Sequence, residues 1–170
     1  MEDNWRYTAK SITKYNPAFR DENGHYKKNE WIGFLQIGEE FEDGILSFDM
    51  YLETEKKYVQ SATLFFEFHE CRQVALRGVE KYGFSDYKYE DKDELISFYK
   101  SLHEGQLVAL NDLDKVVKLI LRELLWAECF CSSSDNIVLR FSYDFYMFFN
   151  SDKDMSTLFN NIMKLGLYIY

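Results

Sequence analysis

The chain has 170 residues, 46% of them hydrophobic and 18% aromatic, and a formal net charge of −9. That length supports one domain, residues 1–170, with a core that needs neither metal nor disulfide. No basic cluster is denser than a pair such as Lys27-Lys28, which argues against direct nucleic-acid or anionic-membrane binding.

Trp5–Tyr15 is rich in aromatic and β-branched residues and reads as a strand, ended by Asn16-Pro17. Asn23-Gly24 is a turn signal for a hairpin or loop. Trp31–Ile37 is ambiguous. Gly38 and Gly44 bracket a short helix or loop holding Glu39, Glu40, Glu42 and Asp43. Ser47 caps a first long helix that ends near His69, with Phe48, Tyr51, Leu52, Val59, Ala62, Phe65 and Phe66 as its buried stripe. Val74–Tyr82 follows as a strand with a bulge at Gly78, then a polar loop over Ser85–Asp93 and a short helix over Glu94–Leu102.

Asn111 or Asp112 caps a second long helix, Leu113–Trp126, apolar on more than one side and therefore central. A turn over 132–136 leads to strands Ile137–Phe141 and Phe145–Phe149 around Ser142-Tyr143-Asp144. A last helix begins at Ser151 or Asp152 and closes at Gly166, and Leu167–Tyr170 forms a terminal strand. Strands at both ends with helices between them predict an α+β domain: an antiparallel or mixed sheet packed against two long helices and shorter ones.

The charge is unevenly placed. Between Gly38 and Glu55 lie seven acids and no base: Glu39, Glu40, Glu42, Asp43, Asp49, Glu53 and Glu55. Such a patch favours a positively charged partner. Glu55 falls on the buried stripe, so it either reaches past the edge of the core or is buried with a partner; the first is the commoner outcome. Arg122 and Glu123 interrupt the apolar helix and need partners if that helix is central, although Arg122 also shares a face with Lys115, Lys118 and Trp126. Tyr143 and Tyr146 fit a surface role or a core role equally.

Catalytic and metal readings are weaker. His69, Cys71, Cys129 and Cys131 lack structural-zinc spacing, and buried free thiols are the simpler reading. Neither a nucleophile elbow nor a phosphate loop is present. The clustered carboxylates could serve as acid and base or hold Mg²⁺ in a small carboxylate-based or metal-dependent hydrolase, but a charge run is more often a solvated face. An adaptor with an aromatic binding face is a further alternative. No cofactor or metal is expected. The acidic opening MEDNWRYTAK is not a signal peptide, no apolar stretch spans a membrane, and three cysteines fit a reducing cytoplasm.

Several blocks resemble bacterial immunity proteins, the cognate inhibitors of polymorphic and contact-dependent growth-inhibition toxins. They are Lys14-Tyr15-Asn16-Pro17, Arg20-Asp21, Gly24-x-Tyr26, Glu30-Trp31 and Ile37-Gly38, then Tyr51-Leu52-x-x-Glu55-x-x-Tyr58. Ile120-Leu121-Arg122-Glu123-x-x-Trp126 and Phe141-x-Tyr143-Asp144-Phe145-Tyr146-Met147 complete the set. The resemblance implies a non-enzymatic cytoplasmic protein that binds a toxin domain stoichiometrically. It also implies a basic, nuclease-type partner. Glu39, Glu40, Glu42, Asp43, Asp49 and Glu53 are the residues expected to meet it, through steering and by standing in for substrate phosphates.

Overall fold

A computed structural model describes residues 9–84, 87, 89 and 91–170. Its centre is a seven-stranded antiparallel sheet. The strands are β1 (Lys10–Thr13), β4 (Gln73–Lys81), β5 (Leu107–Ala109), β6 (Leu125–Cys131), β7 (Ser134–Phe141), β8 (Tyr146–Asn150) and β9 (Tyr168–Ile169). They lie in the order β5-β4-β6-β7-β8-β1-β9, so the two ends of the chain pair with each other inside one sheet. A separate two-stranded hairpin joins β2 (Glu40–Phe41) to β3 (Gly44–Ile45). Four helices complete the α+β fold: α1 (Phe48–Phe68), α2 (Lys92–Ser101), α3 (Leu113–Leu121) and α4 (Ser156–Lys164).

The strand pleat sends alternate side chains to opposite faces. Ile12, Val74, Leu76, Ala127, Cys129, Leu139, Phe141, Met147 and Phe149 join the helices in one core. α1 contributes Tyr51, Tyr58, Ala62, Phe65 and Phe66, at three-, four- and seven-residue spacing. Its Phe65 ring stacks on Phe149 at 4.2 Å. The Tyr58 hydroxyl donates to the Phe145 carbonyl at 2.5 Å and accepts from the Lys14 amide at 2.7 Å, tying the helix to β1 and to the β7–β8 turn. Ser47 caps α1 as expected, its hydroxyl accepting from the Met50 amide at 3.2 Å. The bulge expected at Gly78 is present, as a register shift between Arg77 and Glu80.

Four expectations require correction. The second helix stops at Leu121, not Trp126. The Leu124 amide returns to the Leu119 carbonyl at 2.9 Å and the Glu123 amide to Ile120 at 3.0 Å, a Schellman closure with Glu123 at φ 59. The apolar residues that follow form β6, between β4 and β7 near the middle of the sheet, so α1 is the one long helix described. The Gly38–Gly44 segment is a β-hairpin, with Gly44 at φ 108 closing its turn. The last helix starts at Ser156, after a turn in which Asp154 accepts from the Ser156 amide at 3.0 Å. Trp31–Ile37 contains a single 3₁₀ turn over Phe34–Gln36. The first strand is β1 alone among the described residues; Trp5 and its neighbours up to residue 8 lie outside them, as do residues 85, 86, 88 and 90 of the polar loop.

Candidate functional site

All six acids expected to meet a partner are exposed: Glu39, Glu40, Glu42, Asp43, Asp49 and Glu53. The first four lie on or beside the β2–β3 hairpin and the last two on the first turns of α1. The hairpin is pinned to the chain around it. The Leu46 amide donates to the Glu39 carbonyl at 2.9 Å and the Gly38 amide to the Leu46 carbonyl at 2.8 Å. Leu46 is buried in the core, against which Phe48 and Tyr89 also pack, their rings stacked 4.0 Å apart. Three of the acids have partners: Asp43 pairs with Lys28, Glu42 accepts from the Asn29 amide at 2.9 Å, and Glu39 accepts from Gln36 at 3.4 Å. Glu40, Asp49 and Glu53 have no cationic partner among the described residues.

Exposed apolar side chains are interleaved with these acids. Leu35 is 73% exposed and Ile45 is 63% exposed, and Ile32 and Met50 are also open to solvent. Ile45 is the cross-strand neighbour of Glu40, and Gln36 links Ile32 to Glu39 by hydrogen bonds on its two ends. Apolar residues ringed by charge are the composition of a protein–protein contact. The six acids line none of the cavities described below.

Beneath this face lies a buried ion pair. Glu55 and Arg122 are each only 2% exposed. The Arg122 guanidinium donates from Nε and Nη2 to the two Glu55 oxygens, both at 2.7 Å, and from Nη1 to Asp91 at 2.6 Å. Tyr87 donates to the other Asp91 oxygen at 2.6 Å and accepts from Arg122. Burial pushes the Asp91 carboxyl up, but Tyr87 and Arg122 outweigh it and hold the group below its ordinary 3.8. The rarer of the two outcomes for Glu55 is therefore the one adopted, and Arg122 is not on an exposed edge. The Schellman turn that ends α3 aims Arg122 back toward α1, a placement that helical spacing alone does not give.

On the other side of that turn is a cavity of about 310 Å³. Three chain reversals form it: Tyr82 after β4, Glu123 between α3 and β6, and Ser142–Phe145 between β7 and β8. Trp126 and Tyr143 stack at 5.0 Å with 20° between their planes, and Tyr143 is 71% exposed. Glu123 is half-buried, and burial pushes its carboxyl above the ordinary 4.5. A second cavity shares Tyr82 and Glu123 and is also lined by Leu35, so the two regions adjoin. Sequence spacing could not find this site, because its residues come from segments that meet only at the sheet's rim. The one hint was a glutamate at the end of an apolar run.

The cysteines depart from the expectation of free thiols. Cys71 and Cys131 are disulfide-bonded, with Cα atoms 5.8 Å apart. Cys131 on β6 is paired with Val74 on β4, three residues after Cys71, which brings the end of α1 to the end of β6. Cys129 remains a thiol, and burial pushes it up to about 12, which leaves it inert. His69 packs edge-on against Phe65 and Phe68, and burial lowers its pKa. Among the described residues no group of three or more His, Cys, Asp or Glu side chains could hold a metal ion. No helix among them is long and apolar enough to cross a membrane.

Several residues far apart in the sequence converge in space. Trp31 meets Phe145 at 5.1 Å, Tyr51 meets Phe145 at 6.0 Å, Tyr15 meets Tyr146 at 5.6 Å, and Glu55 meets Arg122. They form one framework under the hairpin and around the Glu123 turn. No family model, curated protein or solved structure matches the chain.

Proposed function

We propose that this protein is a stoichiometric inhibitor of a basic toxin domain, of nuclease type, acting as an immunity protein through its acidic hairpin face. The observation that carries the reading is the mixture on that face. Glu40, Asp49 and Glu53 are exposed without cationic partners among the described residues, and Leu35, Ile45, Ile32 and Met50 are exposed in the same segments. Unpaired charge steers a basic partner into encounter, and the apolar side chains supply the contact that slows its release. The buried Glu55–Arg122–Asp91 network and the Phe34, Phe48 and Tyr89 rings hold the face rigid, which lowers the ordering cost of binding. Such an inhibitor acts in the cytoplasm and carries out no catalysis itself.

The test presents the protein with a purified basic nuclease-type toxin domain, chosen first from any exported protein encoded beside this one. Co-purification at low salt, with an affinity that falls steeply as salt rises, is the expected result. A Glu40→Lys, Asp49→Lys, Glu53→Lys variant should bind at least about tenfold more weakly, mainly through a slower on-rate. Normal binding and protection by that variant would place the interface elsewhere on the molecule.

A further inference from the structure

We propose that the cavity at the Glu123 turn is a binding site for an organic cation, a guanidinium or alkylammonium head group held by the Glu123 carboxylate and the rings of Trp126, Tyr143 and Tyr82. The site is independent of the toxin reading and is tested with small probes.

The charge argument comes first. The Glu123 carboxylate makes no hydrogen bond and no ion pair with any described residue, although the residue is half-buried in the wall of the cavity. A carboxylate taken partly out of water without a donor is costly, and a bound cation removes that cost. Arg122, its neighbour in sequence, is already committed to Glu55 and Asp91. A second acid lies at the mouth, where Glu80 accepts from the Tyr82 hydroxyl at 3.0 Å.

The rings give the chemical class. Trp126, Tyr143 and Tyr82 offer π faces to the cavity. Elsewhere in the chain such faces are used: Arg77 sits 4.1 Å over Phe130, Lys153 4.3 Å over Phe68, and Lys14 4.2 Å over Trp31. Aromatic faces beside a carboxylate suit an organic cation. An anion would find only acids here. A metal ion would find Glu123 in the wall and Glu80 only at the mouth, short of the several oxygen ligands it needs. The volume, about 310 Å³, is at the lower end for a ligand pocket and suits one head group.

The backbone supplies a third observation. Glu123 occupies the left-handed position that ends α3, where glycine is the residue without strain. Glu70 ends α1 in the same way, but it is exposed, so the conformation alone does not mark a site. At Glu123 the same strain holds a carboxylate in a pocket. Gly33 leaves room for it: a Cβ there would stand 2.6 Å from Glu123 Oε1.

The experiment titrates isotope-labelled protein with ethylguanidinium, tetramethylammonium, a capped arginine peptide and its citrulline counterpart. The readout is the Trp126 indole NMR signal, assigned with Trp126→Phe. The expected result is a saturating shift with the cations, in the millimolar range or tighter, and none with citrulline. Glu123→Gln and Glu123→Gly should each weaken binding about tenfold or more, while Glu67→Gln, at an exposed position near the end of α1, leaves it unchanged. Because Glu123→Gly relieves the turn, a loss there cannot be assigned to misfolding. Tighter binding of the arginine peptide than of the small cations identifies a partner's side chain as the occupant, and the reverse order identifies a free amine. The proposal is overturned if no cation saturates the signal, if citrulline binds like arginine, or if the Glu123 variants bind like the parent.

Discussion

At the scale of single residues, the buried Glu55–Arg122 pair dominates. Both groups are almost wholly out of water, so their value depends on each keeping its partner. Removing one side strands a buried charge, and either Glu55→Ala or Arg122→Ala should cost about 3–5 kcal/mol. The paired Glu55→Met, Arg122→Met replacement should cost far less than the sum, because it strands no charge between those two. A urea-denaturation double-mutant cycle reads the difference. Asp91 adds a pH dependence. Its folded pKa is depressed, so its contribution is present above pH 3.8 and is lost as pH falls through the folded value. Asp91→Asn should therefore lower stability near neutrality and flatten the acid limb of the stability profile below about pH 4. Glu123 carries the opposite sign. Its folded pKa is raised, so stability is lost as pH rises through that value, and Glu123→Gln should raise the melting temperature at neutral pH but not well below 4.5.

Among the elements, helix ends decided the most. α1 was legible because a capping serine, an acid in the first turn and a long apolar stripe all agree. Ser47→Ala should cost about 1 kcal/mol, seen as a drop in melting temperature without a change in the denaturant slope. α3 was harder. Leu121–Ala127 lacks β-branched residues and any strong breaker, so local propensity favours continuing the helix. Pairing with β4 and β7 overrides that preference, and the chain turns at a glutamate rather than a glycine. The β2–β3 hairpin was missed for a related reason. Two residues per strand are too few to show a period, and its turn is recognisable only through Gly44.

The whole molecule is organised by the closure of its sheet. β1 sits between β8 and β9, and Ser11 exchanges backbone hydrogen bonds with Tyr170 at 3.2 and 2.8 Å. The Cys71–Cys131 bond closes a separation of 60 residues. In the chain-entropy picture such a loop is worth about 4 kcal/mol, so reduction, or Cys71→Ser, should lower the melting temperature by roughly 8–16 °C. A reducing cytoplasm favours the open thiols. Alkylation of protein quenched directly from cells reads which form is present there, and a fully reduced pair accords with the proposed cytoplasmic inhibitor.

By itself the sequence determined the class of fold, the placement of α1, β4 and the β7–β8 pair, and the position of the acidic run. Each of these rests on local information: spacing, caps, turns and charge along the chain. Only the tertiary structure decided that Glu55 is buried against Arg122, that Asp43 is paired while Glu40, Asp49 and Glu53 are not, and that Leu35 and Ile45 stand among them. It alone set Glu123 between Tyr82, Trp126 and Tyr143. The physical reason is that a side chain's partners are fixed by which segments the sheet brings side by side. Residues 55 and 122, or 82 and 143, meet through long-range strand order, which leaves no periodic trace in the chain.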